Sequence, residues 1–109
     1  MTDAEINLAI AKIEYWDNDD CPECFAHYGG YVYFPYRPSW GMFNYVNDWK
    51  DIGPIIEREK IDIRSCLRTE GTWSAITYDE HNDKVSEGVA DTPTKAAALC
   101  YLKMKGVEL

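Results

Sequence analysis

The stretch that decides the fold runs from residue 61 to residue 78: Ile61-Asp62-Ile63-Arg64-Ser65-Cys66-Leu67-Arg68, Thr69-Glu70-Gly71-Thr72, then Trp73-Ser74-Ala75-Ile76-Thr77-Tyr78. Ile61, Ile63, Ser65 and Leu67 alternate with Asp62, Arg64, Cys66 and Arg68, the period of a half-buried strand. Trp73 to Tyr78 is rich in aromatic and β-branched residues, which suit a pleated surface. The four residues between are turn chemistry. A connection that short cannot carry a parallel crossover, so the strands pair antiparallel.

Outward from this pair, Asp79 to Lys84 reads as a polar loop and Val85 to Val89 as a short third strand at the sheet edge. Such an edge offers a surface on which a homodimer could form. The C-terminal helix follows. Thr92 caps it, Pro93 suits its first position, and Gly106 ends it. Ala96, Leu99, Cys100 and Met104 share one stripe, flanked by Ala97 and Tyr101. At the other end, Thr2-Asp3-Ala4-Glu5 is a capping box. Ile6, Ala9, Ile10 and Ile13 then recur at helical spacing.

Between these elements, Asn47-Asp48 can cap a helix whose apolar face is Trp49, Ile52, Ile55 and Ile56. Pro54 interrupts it, so the expectation is a loose turn that becomes regular from about Gly53 and ends near Glu59. The fold class expected is α+β: a small, mostly antiparallel sheet packed against helices, in the manner of an α-β-α sandwich. The whole chain, residues 1–109, reads as one domain with an aromatic-rich insertion at about 15–43.

That insertion holds ten of the fifteen aromatic residues, and Tyr45 just beyond it is an eleventh. Phe25-Ala26-His27-Tyr28 and Tyr31-Val32-Tyr33-Phe34 flank Gly29-Gly30, the pattern of a hairpin. Pro35 and Pro38 stop the second strand. Cys21-Pro22-Glu23-Cys24 has the spacing of half a zinc knuckle, and His27 stands close by. A complete site needs a second ligand pair, which neither Cys66 nor Cys100 supplies, so two reduced thiols in a loop are expected and no metal or other cofactor.

The chain carries 19 acids against 11 bases, a formal charge of −8. That balance argues against general nucleic-acid binding, which relies on a basic surface. No apolar run reaches the roughly 20 residues of a membrane helix, and the acidic N-terminus lacks a signal peptide's basic flank. A cytoplasmic protein with no membrane association is expected. Catalysis is not: His27 and His81 are the two histidines, no third group orients either, and no Walker, GxGxxG or HExxH pattern occurs.

Four segments carry a resemblance. They are Asp3-Ala4-Glu5-Ile6-Asn7 with Ala9 and Ala11; Asn44-Tyr45-Val46-Asn47-Asp48 with Asp51, Pro54-Ile55-Ile56-Glu57, Ile61 and Ile63; Gly71-Thr72-Trp73-Ser74-Ala75; and Thr94 to Met104, including Tyr101-Leu102-Lys103-Met104. In order and spacing the chain resembles the NinX family of lambdoid-phage proteins, which belong to the nin gene region and to a phage group of the α-β-α sandwich type. Tyr15 to Met42 and the Cys-Pro-Glu-Cys motif depart from the family pattern. The resemblance implies a phage or prophage origin and brings no catalytic residues with it.

What remains is binding. Tyr31, Tyr33, Tyr36, Arg37, Trp40, Arg64 and Arg68 are the candidate contact residues, because aromatic rings and arginines recur at interfaces and stacking sites. Two partners suit them. The first is a host or phage protein met by an aromatic, acidic surface. The second is a small nucleotide, its base stacked on Trp or Tyr and its phosphates met by arginine, a stack contributing about 1–3 kcal/mol. A zinc-stabilised interaction module is a further alternative.

Overall fold

The computed structural model describes residues 2–15, 26–28, 31–33, 42–65 and 71–107. Helix α1 is Asp3–Tyr15. Strands β1 (Ala26–Tyr28), β2 (Tyr31–Tyr33) and β3 (Met42–Phe43) form one antiparallel sheet in that order. Helix α2 (Trp49–Glu59) leads to a second antiparallel sheet of β4 (Asp62–Ser65), β5 (Trp73–Tyr78) and β6 (Lys84–Ala90). Helix α3 is Pro93–Met104. The fold is α+β, as the sequence predicts.

The capping box closes as expected. The Glu5 amide donates to Thr2 Oγ1 at 3.2 Å, and the Thr2 amide donates back to Glu5 Oε1 at 3.2 Å. The Thr2 amide and, at 3.0 Å, its hydroxyl both donate to Glu5 Oε1 and hold the carboxyl below its ordinary range. Ile6, Ile10 and Ala11 are buried, with Ala9 and Ile13 packed at the margin. Asn7 is buried beside them.

Helix α2 differs from its expectation. It is regular from Trp49, not from Gly53. Asp48 caps it, accepting from the Lys50 amide at 3.1 Å, and Lys60 ends it in a left-handed conformation. Pro54 is inside the helix, where it forfeits the bond to the carbonyl of exposed Lys50. Burial of Ile52 and Ile55 holds the helix through it. Trp49 leaves the predicted apolar face altogether and is 53% exposed.

Helix α3 lies across β4, β5 and β6, while α1 and α2 pack on α3, and α1 also meets β2. Flanked in this way, α3 buries more than one stripe: Ala96, Ala97, Ala98, Cys100, Tyr101 and Leu102 are all enclosed. Leu99 and Met104, expected on the core stripe, lie at its edge. Thr92 caps α3 by accepting from the Lys95 amide at 3.2 Å.

Register explains the closeness of α3 to the sheet. Ile63 pairs with Ala75, Ala75 with Gly88, and Thr77 with Ser86. The side chains of Ala75, Thr77 and Ser86 face inward, where Thr77 and Ser86 share a 2.8 Å hydrogen bond and Ser86 Oγ donates to the Cys100 carbonyl. An irregularity near Thr77 and Tyr78 shifts the register, so Tyr78 pairs with Lys84. Tyr78, Val85 and Val89 are exposed, and β6 is an edge strand, as predicted.

Candidate functional site

The segment between β3 and α2 is built around Asn44. Its side-chain carbonyl accepts from Asn7 Nδ2 at 3.0 Å and from the Asn47 amide at 3.3 Å. Its own amide donates to Asp51 Oδ2 at 2.8 Å, and its carbonyl accepts from the Asp48 amide at 2.9 Å. Asn7 Oδ1 accepts from the Val46 amide at 3.0 Å. Two buried asparagines thereby tie α1 to the α2 N-terminus. Buried polar groups are costly when unpartnered, so this network fixes one geometry.

Beside it opens a cleft of about 230 Å³, lined by Glu14 of α1, Phe43 of β3, Tyr45 of the turn, and Lys50, Asp51, Pro54 and Arg58 of α2. Phe43 and Tyr45 stack with ring centroids 5.7 Å apart and planes 2° from parallel. Tyr45 is buried and Phe43 partly exposed, so the outer ring rests on an inner one.

The charged wall is a set of shared pairs. Arg58 Nη2 donates to Glu14 Oε1 at 2.7 Å and Arg58 Nε to Glu59 Oε1 at 3.2 Å. Lys50 Nζ lies 3.2 Å from Asp51 Oδ1 and 3.6 Å from Asp48 Oδ2. The Asp51 side chain is 6% exposed; Lys50 and Arg58 are 64% and 51% exposed at the mouth. The Glu14 bond raises the Arg58 guanidinium above its ordinary pKa, and the Asp51 bond does the same for Lys50. The lining itself holds Glu14 and Asp51 against Lys50 and Arg58, with Asp48 and Glu59 pairing to the same two cations from outside it.

Tyr101 of α3 supports the floor behind Arg58. Arg58 and Lys105 lie 6.0 and 5.6 Å from its ring centroid, within cation–π reach. Arg58 Nη2 also donates to the Tyr101 hydroxyl at 3.3 Å. Burial, with the Glu14 charge second, pushes the Tyr101 pKa from 10.0 up to about 12.

The predicted contact residues are placed only in part. Tyr31 and Tyr33 lie in β2, where the backbone alone is described; His27 likewise lies in β1. Arg64 is exposed on β4, paired with Asp62 at 2.8 Å, and does not line the cleft. Tyr36, Arg37, Trp40, Arg68, Cys21 and Cys24 lie outside the described residues. Among the described residues, no group of three or more His, Cys, Asp or Glu is placed to hold a metal. The cleft itself was missed. Its members lie far apart in sequence, though Tyr45, Asp51 and Pro54 sit in the strongest block of the family resemblance.

The model of the family described as bacteriophage P22 NinX matches residues 1–105. The chain belongs to the NinX family. A solved structure with the same fold is the 2.0 Å crystal structure of a phage protein from Bacillus cereus ATCC 14579, with a TM-score of 0.63, 17% identity, and coverage of 100% of this chain and 92% of that one. No curated protein matches. As a NinX-family member the chain is a phage accessory protein. Among the described residues, no helix is long and apolar enough to cross a membrane.

Proposed function

We propose that this NinX-family protein acts by binding, docking on a host or phage protein in the cytoplasm through the α1–β3–α2 cleft, and that it is not an enzyme. The observation that carries the reading is the partly exposed Phe43 ring, backed by Tyr45 in a cleft whose walls also carry Glu14, Asp51, Lys50 and Arg58. Rings of this kind anchor interfaces, and charges of both signs at fixed positions set a partner's register. The asparagine network makes the cleft preformed, which lowers the cost of binding. The cleft walls offer carboxylates, a lysine and an arginine already committed to one another, with no nucleophile beside a free base.

Nucleotide sequestration has less support at this cleft. Its volume is below the roughly 300–1,000 Å³ typical of small-molecule pockets, and both cations are already shared between carboxylates. The chain's overall charge of −8 also disfavours a phosphate. One protruding side chain fits better.

The test is capture from bacterial lysate with immobilised wild type, Glu14→Gln, Pro54→Ala and Val89→Ser. The docking reading expects a protein retained by wild type and Val89→Ser and lost from the two cleft variants. Equal retention by all four contradicts it. Thermal-shift screening with AMP covers the nucleotide alternative, and elemental analysis covers zinc at Cys21 and Cys24.

A further inference from the structure

We infer that a second copy of this chain covers the open edge of β6, the two β6 strands pairing antiparallel about a two-fold axis. The edge supplies the first argument. Among the described residues β6 is the longest strand and pairs on one side only, with β5. Natural sheets protect such an edge with proline, inward-pointing charge or a very short strand. β6 has no proline, and its inward residues are Ser86, Gly88 and Ala90. Its backbone groups that face away from β5 are a template for another strand.

The surface supplies the second. Ser74 pairs with Val89, and Ser74 Oγ donates to Glu87 Oε2 at 3.0 Å, so Val89 and Glu87 share the face turned away from α3. Tyr78, Val85 and Val89 are three of the four large apolar side chains that stand exposed among the described residues, and all three lie on β5 and β6. Apolar residues gathered in this way mark an association surface, whereas single scattered ones do not.

Charge identifies the occupant. A chain carrying −8 repels its own copies, so they meet where charge is balanced. β6 is balanced: its charged residues are Lys84 and Glu87, 3.4 Å apart and both reaching solvent. Antiparallel pairing sets the Lys84 end of each strand beside the Glu87 half of the other, while parallel pairing sets like beside like. Charge also fixes the register. With the axis at Ser86, Glu87 stands opposite the second copy's Val85 and next to its Lys84. An axis at Glu87 opposes Glu87 to itself and Asp83 to Asp91; an axis at Val85 opposes Asp83 to Glu87. Like charges directly opposite are destabilising, so Ser86 is the centre. A partner strand of strong single charge finds no complement on β6.

Sedimentation velocity of the full chain, up to about 0.5 mM, tests this. The expected result is a shift from the chain's mass to twice that mass, with Kd in the micromolar range of a small interface. Val85→Lys and Val89→Lys, at exposed positions, each weaken association at least about tenfold and melt like wild type. Glu87→Lys also weakens it, and adding Lys84→Glu restores it, because the exchanged charges still face one another. In wild type, hydrogen exchange at the β6 amides slows as concentration rises, a reading that needs no variant. Wild type at the mass of one chain throughout overturns the inference. A dimer untouched by the lysine variants, or one whose β6 exchange is independent of concentration, overturns it as well, since that contact lies elsewhere. A double variant no better than Glu87→Lys overturns the pairing about Ser86. The joint is separate from the cleft of Glu14, Phe43 and Arg58, so its failure leaves the docking reading standing.

Discussion

Gly88→Ala places a methyl group where β6 meets the backbone of α3. Its Cβ would collide with the Ala96 carbonyl oxygen and the Cys100 amide nitrogen, with the Leu99 carbonyl carbon 3.0 Å away. None of these is the flexible end of a side chain, so relief requires α3 to lift from the sheet. Lifting α3 loosens Ala96, Ala97, Ala98, Cys100, Tyr101 and Leu102 together, all of them enclosed. Overpacking a core costs about 1–3 kcal/mol, and backbone obstacles put this case at the upper end, about 3 kcal/mol. At about 4 °C per kcal/mol for a domain near 100 residues, Tm falls by about 12 °C. The assay is thermal unfolding followed by circular dichroism, with a urea titration to check that the slope is unchanged. Gly53→Ala in α2 is the control: nothing lies within 4 Å of its added methyl, so it stabilises by about 0.5–1 kcal/mol. A Gly88→Ala protein melting within about 2 °C of wild type refutes the close-approach argument.

Asn7→Leu keeps the branched heavy-atom shape but strands the Val46 amide in the interior and removes one of the donors to Asn44 Oδ1, a loss of about 2 kcal/mol by urea unfolding. Pro54→Ala removes an exposed helix proline, so it raises stability by about 1–2 kcal/mol while weakening partner capture, and a fall in Tm contradicts the reading of α2. Tyr101 binds its proton more tightly folded than unfolded. Its contribution is therefore complete below pH 10 and declines between pH 10 and about 12. Alkaline unfolding curves for wild type and Tyr101→Phe show this as an extra loss in that window, carried by wild type alone.

The fold was legible where local chemistry and burial agree. Thr2 with Glu5 and Thr92 with Pro93 each specify a cap that the structure adopts, and the antiparallel pairing expected of the strands before and after Thr69–Thr72 is the pairing of β4 with β5. Legibility failed where tertiary contacts overrule local preference. Pro54 argues against a regular first turn, yet the buried Ile52 and Ile55 carry the helix past it. Trp49 has a core residue's character and an exposed position, at the first residue of the helix. Asn7 looks like a solvent-facing residue in an apolar helix; it is buried because Asn44 and Val46, far along the chain, complete its bonds.

The same reasoning separates what could be seen of the cleft from what could not. Phe43 and Tyr45 stand out as aromatics two residues apart. Glu14 and Arg58 do not, since their pairing across 44 positions exists only once α1 and α2 meet on α3. In an acidic chain no single carboxylate draws notice. Tyr45, Asp51 and Pro54 were within reach through the block that resembles the NinX family, because that block forms the junction and the wall together.

The central claim is that a partner seats in the cleft, and photo-crosslinking tests it most directly. A photoreactive phenylalanine analogue replaces exposed Pro54 on the cleft wall, or exposed Val89 on the far strand, in bacterial cells producing the protein. Adducts to one protein from position 54, lost with Glu14→Gln and absent from position 89, are the predicted result. Adducts to another protein from position 89 alone, or equally from both, contradict the account.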